Sequence, residues 1–187
     1  MLFRGLCISF CVFALTLSFA PSALSAQSVA HPFLLVRESD YVELQSRAST
    51  TPWMEMKAQA IIDATTLSYN SSNPVEIKSD QLKNIMSSNA LAFILDEANR
   101  ATYANNIYNA TLNWDDLYNS LSCGTWKGAV APGQAFFNSV LALDIVVNNL
   151  SSIERATAES KLDRVGDWYW GQSGCAWKEN LYASQGI

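Results

Sequence analysis

The chain has 187 residues, with 17 acidic against 12 basic side chains, 49% apolar residues and only 16% charged ones. That is enough for one domain with its own core and too apolar for a disordered tail. A pI near 4.8 argues against nucleic acid as a partner, because a phosphate backbone is gripped by a dense Lys/Arg face. One histidine, His31, and four cysteines without a CxxC pair rule out a multi-histidine or zinc-knuckle site, so no metal and no cofactor are expected.

Residues 1–26 read as a secretory signal peptide. Arg4 supplies the positive start, Gly5 to Ala20 an uncharged, mostly apolar run, and Pro21 to Ala26 the small residues of a cleavage site. The run is shorter than the roughly 20 residues of a spanning helix, so no membrane partner is expected after cleavage and the localisation is secreted or periplasmic. Cleavage removes Arg4, Cys7 and Cys11, which leaves the mature chain at −6 with two cysteines. In an oxidising compartment Cys123 and Cys175 can form a disulfide, worth about 4 kcal/mol in the chain-entropy model; two buried free thiols are the alternative. Three glycosylation sequons begin at Asn70, Asn109 and Asn149. With 14 asparagines in the chain, two or three such triplets arise by chance, so they carry little weight.

The mature chain reads as helical throughout, with no period-two alternation. Glu38 to Ala48 puts Tyr41, Leu44 and Ala48 on one face. Pro52 restarts the chain at a first helical position with Thr51 as its cap, followed by an apolar stripe of Trp53, Met56, Ala60, Ile61 and Ala64. After a connector at 70–74, Val75 to Glu97 forms one long or two short helices that bury Leu82, Ile85, Met86, Leu91, Phe93, Ile94 and Leu95. Asn99 to about Leu112 is a shorter helix. Asn113 to Gly133, with Trp114, Trp126 and Cys123, has poor periodicity and reads as loop with a turn or two of helix. Ala135 to Val147 is apolar nearly all round, as in a helix packed on more than one side. Ser151 and Glu154 fit a capping box that starts a helix running through Leu162 and Val165 into Trp168-Tyr169-Trp170. Gly171 to Gly174 ends it, and Cys175 to Ile187 opens another helix.

Two stretches carry a family resemblance. His31-Pro32-Phe33-Leu34-Leu35-Val36, followed by Ser39-Asp40 and a helix ending before Pro52-Trp53, is similar to the opening "HPRLL" segment of the heparinase II/III-like and alginate lyase group. Leu141-Ala142-Leu143-Asp144 and then Asn149-Leu150-Ser151-Ser152-Ile153-Glu154-Arg155 resembles that group's "A-Y-D … L-S-x-x-E-R" helix-turn-helix. The departure is Phe33, where the group usually has Arg. The resemblance implies an all-α chain whose residues 27–187 form the N-terminal part of an incomplete (α/α) toroid of helical hairpins, truncated before the ring closes. It also implies a secreted polysaccharide lyase acting on a uronate-containing polysaccharide, of alginate or glycosaminoglycan type, by β-elimination. That chemistry needs a donor that neutralises the sugar carboxylate, often Asn, and a Tyr or His as base and acid. By position Asn180 matches the neutraliser, although Leu181 stands where His or Trp is usual, and the catalytic Tyr would lie beyond residue 187.

An acidic polysaccharide is therefore the expected partner. Trp126, Trp168, Trp170, Trp177 and Tyr182 are candidates for stacking on sugar rings, with core packing as the rival for each. Successive residues of the Trp168-Tyr169-Trp170 triplet point about 100° apart on a helix, so at least one faces a cleft or solvent. His31 reads as structural, and Asp144, inside an apolar helix, calls for a partner such as Arg155 or Arg164. Two other classes compete with the lyase. One is an (α/α) barrel glycoside hydrolase, which needs two carboxylates across a cleft, whereas Asp115 and Asp116 are adjacent. The other is a non-catalytic glycan-binding or structural helical domain.

Overall fold

The computed structural model describes residues 30–122 and 130–171. Every regular element among them is helical, with no strand. In chain order they are α1 (Tyr41–Arg47), α2 (Trp53–Thr66), α3 (Val75–Leu95), α4 (Arg100–Leu112), α5 (Trp114–Tyr118), α6 (Ala131–Val146) and α7 (Ser152–Gly171), with 3-10 turns at Glu38–Asp40, Glu97–Asn99 and Val147–Asn149.

Helix α3 is the axis of the structure because its apolar residues do not keep to one stripe. Leu82, Ile85, Met86, Ala90, Ala92, Phe93, Ile94 and Leu95 are all buried, and α1, α2, α4, α5 and α6 all pack around it. Of the expected burying set only Leu91 stays 38% exposed. The run from Val75 is a single helix rather than two. Each large aliphatic side chain fully buried here contributes about 1.5–3 kcal/mol.

The contacts fix the helix directions. Arg100 Nε donates to the Phe93 carbonyl (3.0 Å) and Asn106 Nδ2 to Asn89 Oδ1 (3.0 Å), so α4 runs back along α3. Asn106 also reaches the Ala64 carbonyl on α2, at 3.4 Å. At the other end of α2, Trp53 and Met56 share a groove with Leu91, Ile94 and Leu95 of α3, so α2 is antiparallel to α3 as well. Ser87 Oγ donates to Asn138 Oδ1 at 2.9 Å. The leading segment binds α6 near its C-terminus through Phe33 and Leu34, and its next residues, Leu35 and Val36, meet the last turns of α3. The C-termini of α3 and α6 therefore lie at one end, and these two central helices run parallel. Helix α7 returns along α6, with Tyr169 stacked on Phe136 (centroids 5.9 Å apart) and Leu162 beside Val140 and Leu143.

Local chemistry explains most boundaries. Ser151 and Glu154 form the expected capping box: the Ser151 N–H donates to Glu154 Oε2 (2.8 Å) and the Glu154 N–H to Ser151 Oγ (3.3 Å). Helix α6 begins four residues before the expected Ala135, with Pro132 in its first turn, where proline's missing N–H is not needed. Helix α2 begins at Trp53 with Pro52 at the cap position, and Thr51 provides no side-chain cap. The α2 stripe is only half realised. Ala60 and Ala64 are buried, but Trp53 and Met56 remain 50% and 52% exposed, because the first turn of α2 borders an open groove instead of facing a further helix.

The hydroxyl of Tyr41 is buried without a hydrogen-bond partner among the described residues. Its ring meets Phe93 edge-on and lies under the Arg100 guanidinium, 5.0 Å from the centroid. Burial pushes its pKa up to about 12 despite the opposing pull of Arg100. An unsatisfied buried hydroxyl is a desolvation cost with no return. Tyr41→Phe should accordingly raise stability by about 0.5–1 kcal/mol in urea unfolding; a loss of that size would mean the hydroxyl is bonded in solution.

Candidate functional site

The two stretches that carry the family resemblance meet in space. Asp144 sits on α6, 113 positions after His31, and its carboxylate accepts from His31 Nδ1 (2.6 Å) and from the backbone N–H groups of Phe33 and Leu34 (both 3.0 Å). Asn148 Nδ2, one turn on, donates to the His31 carbonyl at 2.8 Å. The Asp144 side chain is 4% exposed and His31 27%. A carboxylate in an apolar helix is thus satisfied by three donors from a segment with no regular structure of its own, as a buried charge requires. The expected partners are different: Arg155 pairs with Glu159 (2.7 Å) and Arg164 with Asp115 (2.9 Å). Arg155 and Arg164 are on α7, and both find carboxylates nearer the surface, where a guanidinium keeps its hydration.

Beside this clasp lies a cleft of about 210 Å³. The leading segment lines it with His31, Phe33 and Leu34, α6 with Val140, Leu143 and Asp144, the 3-10 turn after it with Val147, and α7 with Leu162, Glu159 and Asp163. Its walls are mostly apolar, and its polar groups are the imidazole, the Asp144 carboxylate and the two α7 carboxylates. Among the described residues no three His, Cys, Asp or Glu side chains are grouped so as to hold a metal ion.

At the opposite end of the bundle, α5 is tied down by two carboxylates that point to different helices. Asp116 Oδ2 accepts from the Tyr69 hydroxyl (2.6 Å) and from Lys78 Nζ (2.9 Å), and Lys78 also reaches Ser120 Oγ at 3.2 Å. These donors, the Tyr69 hydroxyl foremost, hold the Asp116 carboxyl below its ordinary range, and burial, followed by the same contact, drives the Tyr69 hydroxyl far upward. Asp115 faces α7, where Lys161 Nζ meets Oδ2 at 2.6 Å and Arg164 Nη2 meets Oδ1 at 2.9 Å. Those cations, Lys161 first, lower its pKa. Both carboxylates are therefore engaged by cations from neighbouring helices, an arrangement that supports structure better than the acid and base of a hydrolase.

Of the sugar-stacking candidates, Trp168 and Trp170 fall on α7. Trp170 is 85% exposed, while Trp168 is half-buried with its ring edge-on to Tyr169, 4.9 Å between centroids. The expectation that one member of the triplet faces outward is met by Trp170. Trp126, Trp177, Tyr182 and Asn180, and the cysteines Cys123 and Cys175, lie outside the described residues. The three sequon asparagines Asn70, Asn109 and Asn149 are all exposed. What sequence reading missed is Trp114. Placed in a stretch read as mostly loop, it is fully buried, donates from Nε1 to Ser139 Oγ at 3.1 Å and meets Phe136 edge-on. The only signal was its position before an Asp-Asp pair at the start of a short helix, too brief for periodicity to register.

Among the described residues no helix is long and apolar enough to cross a membrane. No family model, no curated protein and no solved structure matches the chain.

Proposed function

We propose that the chain is the N-terminal part of a secreted polysaccharide lyase, an arc of an (α/α) toroid that cleaves a uronate-containing polysaccharide by β-elimination. The observation that carries this reading is the clasp at Asp144. The His31-Pro32-Phe33-Leu34 segment and the Leu141 to Arg155 stretch each resemble the lyase group weakly alone, and the Asp144 carboxylate joins them through three hydrogen bonds. Two motifs that recur together in one group have a physical reason to do so when one supplies the charge and the other the donors that satisfy it. The direction of the helices supports the same reading. Hairpins repeated around a ring set their inner helices parallel and their outer helices against them, as α3 and α6 stand to α2, α4 and α7.

In the proposed reaction a neutralising donor, Asn180, binds the uronate carboxylate and acidifies the C5 proton. A base removes that proton, the electron pair forms the C4–C5 double bond, and the glycosidic oxygen leaves C4 and takes up a proton. Trp170 and Trp168, with Trp126, Trp177 and Tyr182, offer aromatic faces for sugar rings. The deciding experiment incubates the full-length lyase to which this N-terminal part is proposed to belong with alginate, heparin, heparan sulfate, chondroitin and glucuronan. Ultraviolet absorbance of the new double bond is expected with one of them. New reducing ends without that absorbance would replace the lyase by a hydrolase, and neither signal would leave a non-catalytic domain.

A further inference from the structure

Helix α7 carries charges of alternating sign, Glu154, Arg155, Glu159, Lys161, Asp163, Arg164 and Asp167. Lys161, Arg164 and Trp168 are spaced i, i+3 and i+7 and so share one face, with a rise of about 10 Å from first to last. That face looks toward α5, where both cations meet the single carboxylate of Asp115. Two cations thus share one carboxylate, so Asp115 alone does not saturate both.

The two cations are not equivalent. Lys161 is 19% exposed and engages Oδ2 at 2.6 Å, which accounts for the charge of Asp115 by itself. Arg164 is 45% exposed and contacts Oδ1 through Nη2 alone, at 2.9 Å. A guanidinium has five N–H donors in a planar fork suited to gripping a carboxylate with two parallel bonds. Here the fork lies over the Tyr118 ring, with its central carbon 4.3 Å from the ring centroid. A cation held against an aromatic face keeps its charge and loses much of its rotational freedom, so less is spent in ordering it when an anion arrives. Half of its surface remains open to receive one.

We propose that Arg164, seated on Tyr118 and backed by Lys161, is a subsite for a sugar carboxylate of an acidic glycan, with the ring of Trp168 one turn further along α7 as its stacking neighbour. This deepens the lyase reading and rests on it for the class of ligand. A uronate chain presents a carboxylate on each ring and an apolar C–H face between them, which matches a cation and an indole on one helix face. Asp115 competes for the same guanidinium, so it tunes the affinity of the subsite as well as anchoring α5.

The test measures binding by calorimetry, separately from turnover, with a mannuronate trimer as probe and neutral mannotriose as control. Arg164→Gln should weaken trimer binding about tenfold while leaving mannotriose unchanged, the value of one charge-assisted carboxylate contact. Asp115→Asn should tighten it several-fold by releasing the guanidinium, and Arg164→Lys, which keeps the charge but loses the fork, should fall between Arg164→Gln and the wild type. Should Arg164→Gln fail to fold, Asp115→Asn carries the test, and trimer binding that it leaves unchanged or weakens would overturn the subsite. Equal binding by Arg164→Gln and the wild type, or no trimer binding by the wild type, would also overturn it. The two proposals fail separately. Double-bond absorbance with Arg164-independent binding removes the subsite alone, and Arg164-dependent binding without absorbance from any polymer removes the lyase chemistry alone.

Discussion

Asp144→Ala should cost about 3 kcal/mol, because it leaves three donors of the leading segment without their acceptor in a partly buried site. For a chain of this size that corresponds to a fall in melting temperature of roughly 6–12 °C. The carboxylate takes the imidazole and two backbone N–H groups at once, and no regular structure holds residues 30–37 in place otherwise. The loss should therefore be local before it is global. Trypsin cleavage after Arg37 should accelerate in the variant under conditions where α3 and α6 remain protected from hydrogen exchange. Asp144→Asn keeps the shape but has one good acceptor where the carboxylate has two, and its NH2 faces other donors. It should lose about half as much. A melting temperature within 2 °C of the wild type for Asp144→Ala would show that the clasp does not hold the segment.

This pair also marks the limit of what the sequence made legible. The absence of strands among the described residues, the all-round apolarity of α6, the capping box at Ser151 and Glu154 and the burying set of α3 could all be read from local pattern, since each depends on residues within a turn or two of one another. That Asp144 needed a partner was equally legible, because a carboxylate in such a helix cannot stand unpaired. Which partner it had was not. Arg155 and Arg164 lie close in sequence and carry formal charge, whereas the actual donors are an imidazole and two main-chain amides more than a hundred positions away, and backbone N–H groups have no signature in composition.

The same reasoning applies to exposure. Trp53 and Met56 follow the period of a buried stripe, yet among the described residues they border an open groove walled by α1, α3 and the leading segment. The sequence of α2 records only that the face is apolar. At the candidate site, the split of roles within Trp168-Tyr169-Trp170 follows from helical geometry alone, whereas the seating of Arg164 on Tyr118 depends on where α5 packs. The position of α5 depends in turn on Trp114.

Trp114→Ala should be the most damaging single change, at about 3–5 kcal/mol, a large share of the 5–15 kcal/mol that stabilises a typical domain. Trp114 is the largest side chain fully buried among the described residues, and α5 has only five residues, too few to persist as a helix unless anchored. The indole is that anchor. It packs edge-on against Phe136, 6.1 Å between centroids, and its N–H reaches Ser139 Oγ. Trp114→Phe retains most of the packing and removes the N–H donor; Ser139 keeps its own bond to the Ala135 carbonyl at 2.8 Å, so no buried hydroxyl proton is stranded and the cost should be nearer 1–1.5 kcal/mol. The difference between the two variants measures how much of the anchor is volume and how much is hydrogen bond. Because Asp115 and Tyr118 belong to the same short helix, loosening Trp114 also removes the seat beneath Arg164. Trp114→Phe should hold uronate binding near the wild-type value, whereas Trp114→Ala, assayed at a temperature where it is still folded, should lose it together with the Lys161 and Arg164 ion pairs. Chemical denaturation of both variants checks the first part. A loss below 1 kcal/mol for Trp114→Ala would mean that α5 is held by the buried Leu117 and its two carboxylates instead.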